Sequence, residues 1–466
     1  MKRFIIFILI GGLFTACSEE FTDLAPISNR NEADFYNTTN DFVVAVNASY
    51  AGLQDLGVYG RAYWTMFEMR SDNTDQGPDA TGLARQYTEI NAFTEDPLNE
   101  QVTAAWISSY SVIANCNVIL SRIGGADVET DIANRITGEA LFLRSLMYYH
   151  LAIAFGNIPL QLTPFEPGSG LEQVSAATVY DQLVNDLTEA ENNLPISYDD
   201  GNTGRATKGA AATLLAKVLL TQGEDGAAAT VLRRIIDNYN YTLLDNYADL
   251  WGVSNENNAE SIFEVQFISG GIGQGSAFTN EFSPANTLQT GQGFGRNRPN
   301  PMLVQAYEPG DLRFEPSLDT TYVDPLDNEV VEQRYIRKYE SDPPVENDSD
   351  INFVVFRYAD VLLMLAEALG ESDESYGLIN QVRSRAGLPD IDASTPGTFE
   401  EKLLQERQLE LAFENHRWPD LLRFGMAREM VGAAEEEIDI TNYRELFFIP
   451  QREMDINPGF VQNNTN

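Results

Sequence analysis

Leu143, Leu146, Met147, His150, Leu151 and Ala154 fall at the i, i+3, i+4 and i+7 spacing of one helical face, and the run breaks at Phe155-Gly156-Asn157 with Pro159 just beyond. Ala211, Leu214, Leu215, Val218 and Leu219 repeat that spacing with Gly223 close behind, and Val179 to Leu194 is a third amphipathic stretch closed by Pro195. Leu362, Leu365, Ala366 and Leu369 mark a fourth helix, and Leu404 through Phe413 a fifth. Ala210, Ala211, Ala212 and Ala216 are small enough to let helices approach closely, as stacked helix pairs require. The pattern predicts a mainly α scaffold of helical-repeat character, although no fixed repeat period is visible.

Between the helices lie long stretches of another kind. Ser269 to Asn300 is rich in Gly, Asn, Ser and Thr with Phe278, Phe282 and Phe294 among them, and Asp319 to Asp350 mixes Pro and acids with Tyr322, Tyr335 and Tyr339. Both are expected to be loops. Long loops are either disordered or functional, and aromatic residues favour function because disordered segments are aromatic-poor.

The N-terminus reads as an export leader. Lys2 and Arg3 are basic, Phe4 to Phe14 is apolar, and Leu13-Phe14-Thr15-Ala16-Cys17 ends on small residues before a thiol, the pattern of a bacterial lipoprotein signal. The apolar run is shorter than the roughly 20 residues a spanning helix needs, so the protein is expected to be anchored by lipid on Cys17. Residues 17–40 would then form an acylated N-terminus and tether, and residues 41–466 one domain, with the scaffold at about 100–265 and 351–430 and a loop-rich face at about 55–98 and 268–350. With Cys17 lipidated, the second of two cysteines, Cys116, lacks a partner and is expected to be a buried, inert thiol.

Charge and motif content narrow the chemistry. A formal net charge of −40, or −42 once Lys2 and Arg3 leave with the leader, excludes nucleic acid as a partner, because binding it requires Lys and Arg to displace counterions. Neutral ligands suit this composition better. Only His150 and His416 are present, so a Cys/His nucleophile or a multi-histidine zinc site is not expected, and His150 is read as a core histidine. Asp72, Asn73, Asp75 and Gly77 lack the spacing of a calcium loop, and Gly271, Gly273 and Gly275 lack the strand-turn-helix setting of a dinucleotide site. No metal and no cofactor are expected.

Over nearly the whole mature chain the residues resemble the SusD/RagB family, surface lipoproteins of Bacteroidetes that partner a TonB-dependent outer-membrane transporter. The resemblance lies in Glu139 to Tyr149, Phe155-Gly156-Asn157-Ile158-Pro159-Leu160, Gly204-Arg205-Ala206-Thr207-Lys208, Asn246 to Leu250 and Glu260 to Val265. It continues through Asp311-Leu312-Arg313, Phe356 to Leu363, Asn380 to Gly387, Glu406-Arg407 through Glu414, Arg417 to Leu421, Ile449-Pro450-Gln451 and Asn457-Pro458. Ser18-Glu19-Glu20 resembles the surface-export signal of such lipoproteins. Pro419 stands where an aromatic is usual. The resemblance implies a tetratricopeptide-like helical scaffold carrying an irregular, loop-built ligand face. Arg357, Asp360, Glu367, Arg383, Arg385, Glu406, Arg407, Glu410, Arg417 and Asp420 lie on or beside apolar helices, where charges must pair, so they are read as structural.

The resemblance also implies capture of an oligosaccharide or polysaccharide at the cell surface and its delivery to a SusC-like TonB-dependent transporter, without catalysis. Sugar C–H faces stack on aromatic rings, and hydroxyls bond to Asp, Asn, Gln and Arg. Two segments carry those residue types. Tyr63 and Trp64 precede the polar run holding Asp72, Asn73, Asp75 and Gln76, which matches the region where the family places part of its ligand site. Phe282, Phe294, Arg296 and Asn297 form the second candidate wall, with Gln292 close by. The alternatives are that Trp64 and Phe67 are buried and that the second segment is a packed loop or a transporter contact. Trp106, Trp251 and Trp418 are assigned to the core. Two other functions stay open: a surface glycoside hydrolase, and a lipoprotein that binds peptides or stabilises the transporter.

Overall fold

The computed structural model describes residues 35–77, 82–166, 170–434 and 442–463. The leader, Cys17 and the tether through residue 34 lie outside them. The expected tether ends earlier than residue 40. Phe35 and Tyr36 already pack on the core, and a capping box between Thr38 and Asp41 starts the first helix at Thr39.

In chain order the first part forms α1 (Thr39–Ala51), α2 (Ala62–Phe67), β1 (Thr74–Asp75), α3 (Leu83–Asn91), α4 (Glu100–Arg122), α5 (Thr130–Phe155), β2 (Ile158–Pro159), β3 (Gln173–Val174), α6 (Ala176–Asn193), α7 (Lys208–Thr221) and α8 (Asp225–Asn238). An excursion follows with β4 (Ser261–Val265), α9 (Phe278–Phe282), β5 (Arg298–Pro299), α10 (Pro301–Ala306), α11 (Phe314–Ser317), β6 (Leu318–Val323), β7 (Val330–Ile336) and β8 (Phe353–Arg357). The chain closes with α12 (Tyr358–Leu369), α13 (Asp373–Arg385), α14 (Phe399–Leu411), α15 (Arg417–Arg423), α16 (Ala427–Ala434) and α17 (Gln451–Ile456).

The helices stack in sequence, α4 on α5, α5 on α6, α6 on α7 and α7 on α8, and the stack then passes directly to α12, α13 and α14. This is the mainly α, tetratricopeptide-like scaffold. Local signals set its boundaries: Asn99, Ser175, Thr207 and Ser372 cap their helices, and α5 ends at Gly156, whose φ of 67° suits glycine. α4 is long and apolar enough to cross a membrane, yet it turns Val102, Trp106, Ile113, Cys116 and Ile119 into the core. Burial pushes the Cys116 thiol up to about 12, so it stays protonated and inert. His150 is buried too, with Nε2 at 2.8 Å from the Tyr59 hydroxyl, and desolvation pulls its pKa down to about 3.

The excursion is closed at its base, because β4 pairs antiparallel with β8 and brings residues 265 and 353 together. An aromatic chain fastens it to the scaffold: Trp64 lies 5.3 Å from Phe282, Phe278 5.3 Å from Tyr339, and Phe353 5.3 Å from Tyr59. The two stretches expected to be loops are partly regular. β6 and β7 form an antiparallel hairpin within 318–336, and α9 and β5 interrupt 269–300. The β-branched and aromatic residues Val330, Val331, Tyr335 and Ile336, with Asp327-Asn328 just before them, carry the hairpin signal.

Beneath the excursion the charged motif residues form buried clusters. Arg357 meets Glu260 at 3.0 Å, Glu414 at 2.7 Å and Glu410, while Arg313 meets Asp311 at 2.8 Å and Glu406 at 2.6 Å. A second cluster joins Asp360 to Lys217 and Arg407, each at 2.9 Å, and Asp420 to Arg407 at 2.8 Å. Among the expected structural charges, Arg383 pairs with Glu406, Arg385 with Glu260, Arg417 with Asp72 and Glu367 with Arg423. Trp106 and Trp418 are buried, whereas Trp251 is half-buried over the ammonium of Lys338.

Candidate ligand-binding cleft

The turn after α2 is held from below. Both Asp72 carboxylate oxygens accept from Arg417 at 2.7 Å, and Gln408 donates to Asp72 and to Asn73. Asn73 donates to Glu68, which also accepts from the Asn415 backbone at 2.6 Å. So anchored, β1 runs antiparallel to β5 with Thr74 opposite Pro299 and Asp75 opposite Arg298.

Two glycines let side chains close over this strand pair. Gly77 has φ 73°, and a Cβ there would lie 2.7 Å from the Arg298 guanidinium; Gly295 has φ 58°, and a Cβ there would lie 2.5 Å from Gln333 Nε2. Asn297 also takes a left-handed φ of 51°, and its side-chain oxygen accepts from the Thr74 hydroxyl at 2.6 Å. Arg334 on β7 donates to the Pro299 carbonyl at 2.7 Å and pairs with Asp75 at 3.4 Å. Burial raises the Asp75 carboxyl and Arg334 opposes the shift.

The outer surface of this layer is polar and aromatic. Arg298, Thr320, Thr321, Glu332, Gln333 and Arg334 line an open cleft of about 440 Å³. Beside it, the Arg296 guanidinium lies 4.6 Å from the Phe294 ring centre and pairs with the buried Glu281. Tyr322 is half-buried; burial and Asp324 push its phenol up and Arg298 opposes them. Three buried amide atoms, Gln76 Oε1, Asn297 Nδ2 and Gln333 Nε2, have no hydrogen-bond partner within the described residues. These atoms are shut off from the surface, so the polar groups within reach of a ligand are those that line the cleft.

Of the residues expected to bind, Asp75, Phe294 and Arg296 are partly exposed in this layer, while Gln76 and Asn297 lie in it buried, at 3% and 1% exposed. The others do not reach a surface. Tyr63, Trp64 and Phe282 are at most 2% exposed, and a ring without an accessible face cannot stack on a sugar. Every residue of α2 is buried, which takes Tyr63 against Ser109 and Met147 and Trp64 against Tyr87 and Phe282. Asp72 and Asn73 are the support of the turn, spent on Arg417, Gln408 and Glu68. Thr320, Thr321, Gln333 and Arg334 were not singled out from sequence, because the hairpin that presents them read as a loop, and Arg298 on β5 fell in the other stretch read that way.

A better enclosed cavity of about 240 Å³ lies between Trp106, Tyr110, Phe165 and Phe460 on the other side of the scaffold. Its walls are largely apolar, and the Tyr110 hydroxyl and Asn117 amide at its edge are spent on backbone carbonyls. It offers sugar hydroxyls little. Among the described residues no group of three His, Cys, Asp or Glu side chains is placed to hold a metal ion.

Comparison with known proteins agrees over the chain's length. The model of the SusD family matches residues 317–465, and a second family model, described as starch-binding associating with outer membrane, matches residues 22–220. SusD-like protein P2 of Formosa agariphila is 29% identical, with 100% of this chain and 99% of that protein aligned. A SusD-like protein of Bacteroides ovatus is 26% identical over 88% of this chain and 80% of its own length. Among solved structures, a laminarin-binding SusD-like protein superposes with a TM-score of 0.81 at 30% identity, covering 92% of this chain and 99% of that one. Surface glycan-binding protein A from Bacteroides thetaiotaomicron, in complex with laminarihexaose, shares the fold with a TM-score of 0.81 at 23% identity, covering 92% of this chain and 100% of that one. With that identity sustained over almost the full length of a solved relative, and two family models covering its two ends, this chain belongs to the SusD family.

Proposed function

We propose that this protein captures an oligosaccharide or polysaccharide in the cleft between β5, β6 and β7, and passes it intact to a SusC-like TonB-dependent transporter. The observation that carries this reading is the open cleft whose wall holds Thr320, Thr321, Glu332 and Gln333, in a layer that also keeps Phe294 and Tyr322 partly exposed. Amides at fixed positions take sugar hydroxyls, and an aromatic face takes the C–H face of the ring. The laminarin-binding relative supports the ligand class.

Binding without turnover follows from how the local acids are used. Hydrolysis of a glycosidic bond needs two carboxylates flanking it, roughly 5 to 10 Å apart. Asp75 spends one oxygen on the Gly77 backbone at 2.7 Å and the other on Arg334, so that among the described residues lining the cleft Glu332 is the one exposed acid. Lipid on Cys17 would hold the protein at the outer membrane facing outward, and tethering beside the transporter raises the local ligand concentration there. Calorimetric titration with a panel of glycans, followed by assay for new reducing ends, tests the proposal: a bound glycan recovered uncut agrees with it, and turnover contradicts it.

A further inference from the structure

We propose that the apolar cavity beside α4 is the seat of this chain's own N-terminal segment, filled by the side chains of Phe21, Leu24 and Ile27. The cavity, of about 240 Å³, is walled by Trp106, Ile113, Pro159, Phe165, Leu171 and Phe460. Its rim leaves large apolar groups open to solvent, with Ile107 42% and Phe165 57% exposed. Apolar surface gathered in one concave place, rather than scattered singly, marks a docking site. The polar groups at its edge are already used: the Tyr110 hydroxyl and the Asn117 amide donate to the carbonyls of Pro159 and Gln161, and Arg452 pairs with Glu453 at 2.7 Å. What fits such a cavity is an apolar segment.

The sequence supplies one. Between Cys17 and Phe35 the large apolar residues are Phe21, Leu24 and Ile27, spaced three apart, with Pro26 among them. Three residues per turn is the period of polyproline II, which Pro26 favours for itself and for Ala25, and that period sets all three side chains on one face. At a rise of about 3.1 Å per residue the face is about 19 Å long. α4 lines the cavity from Trp106 to Asn117, about 17 Å at the helical rise. The chain also enters at a suitable place, since the Tyr36 ring lies 5.4 Å from the guanidinium of Arg122, the last residue of α4. Arg122 is about 8 Å along the axis from Asn117 and within about a quarter turn of the exposed rim residues Ala114 and Ile107. The eight residues from Ile27 to Phe35 reach up to about 26 Å, enough to lay Ile27 in the cavity. The family match that begins at residue 22 takes in Leu24 and Ile27, as befits residues that belong to the fold and not to a spacer of free sequence. Seated this way, Phe21 lies four residues, at most about 14 Å, from Cys17, so lipid there holds this flank of the scaffold against the membrane.

Disulfide trapping in the mature chain, carrying C17S so that neither lipid nor a third reactive thiol is present, tests the seat. A25C leaves the three apolar side chains in place. It is paired in turn with A114C, at the cavity rim, and with N115C, the next residue, exposed on α4 outside the cavity. Cys116 is buried and does not compete. Docking raises the effective concentration of one thiol at the other, so with oxidised glutathione the bridge from A25C to A114C should form about tenfold faster than that to N115C. F21S/L24S/I27S should abolish this preference with an unaltered circular dichroism spectrum. A tether that does not dock meets both positions alike. Equal rates with the apolar residues intact would give the cavity to an occupant from outside the chain, such as the transporter, and overturn the inference. A preference that survives the triple serine change overturns it as well, and either result leaves glycan capture standing.

Discussion

Around Arg357 and around Arg298 the protein uses the same side-chain types to opposite ends. Arg357 is 1% exposed and is met on every side, by Glu260, Glu410 and Glu414, while Arg313, Arg385 and Lys338 complete the carboxylates in turn. Arg298 and Arg334 are half-buried at an open cleft, lined also by Thr320, Thr321 and Gln333. A polar group enclosed by the protein recognises nothing further. One held at an accessible wall is available to a ligand. The two regions are joined through Glu68, Asn73 and Gln408, so the enclosed cluster is the footing on which the open one stands.

The widest separation between them should come from R357M. It strands Glu410 and Glu414 without their shared cation, and breaking a buried pair from one side costs about 3–5 kcal/mol, which urea unfolding will register. Acid should attack the same region. Glu410 and Glu414 are buried, which alone would raise them, but Arg385 and Arg357 on the first and Arg357 and Lys338 on the second hold both carboxyls well below the ordinary range. Their folded pKa values lie beneath the unfolded ones, so they stabilise the protein at neutral pH, and that contribution fades as pH drops below about 4.

Glu68 behaves in the reverse sense, because desolvation pushes its carboxyl up from 4.5 to about 7 against the hydrogen bonds from Asn73 and Asn415. A raised acid favours the fold at low pH and loses that advantage as pH climbs through the interval. E68Q should therefore flatten the stability profile between about pH 4.5 and 7, by roughly 2 kcal/mol, in thermal melts across that range. T321A tests the cleft from the other side: it should weaken glycan binding about tenfold while lowering stability by at most about 1 kcal/mol, the span of strand preferences. The smallest effect is expected from L326S at the hairpin tip, where Leu326 is 77% exposed: stability should stay within about 0.5 kcal/mol and affinity should not change.

The scaffold was legible because helical periodicity and caps are local. The spacing from Leu143 to Ala154 and the stop at Gly156 name α5 without any knowledge of its neighbours. The buried charges were legible for a related reason, since Arg357, Glu406 and Glu410 sit in apolar surroundings that permit only a paired state. The cleft was legible in position more than in detail. Asp75, Gln76, Phe294, Arg296 and Asn297 signalled it, but Tyr63, Trp64 and Phe282 carry the same residue types and are buried, because exposure depends on what packs over α2 and α9 from distant sequence. The contribution of β7 was hidden in another way: which residues Gln333 and Arg334 face is decided by the pairing of β6 with β7 and the approach of Gly295, neither of which is a local property.

The most direct test of the central claim is a crystal structure of this protein with an oligosaccharide it binds. The account predicts an intact saccharide whose ring lies on Phe294 or Tyr322 and whose polar groups reach Thr320, Thr321 and Gln333. A saccharide seated in the apolar cavity by Trp106 and Phe165, or one found cleaved, would contradict it.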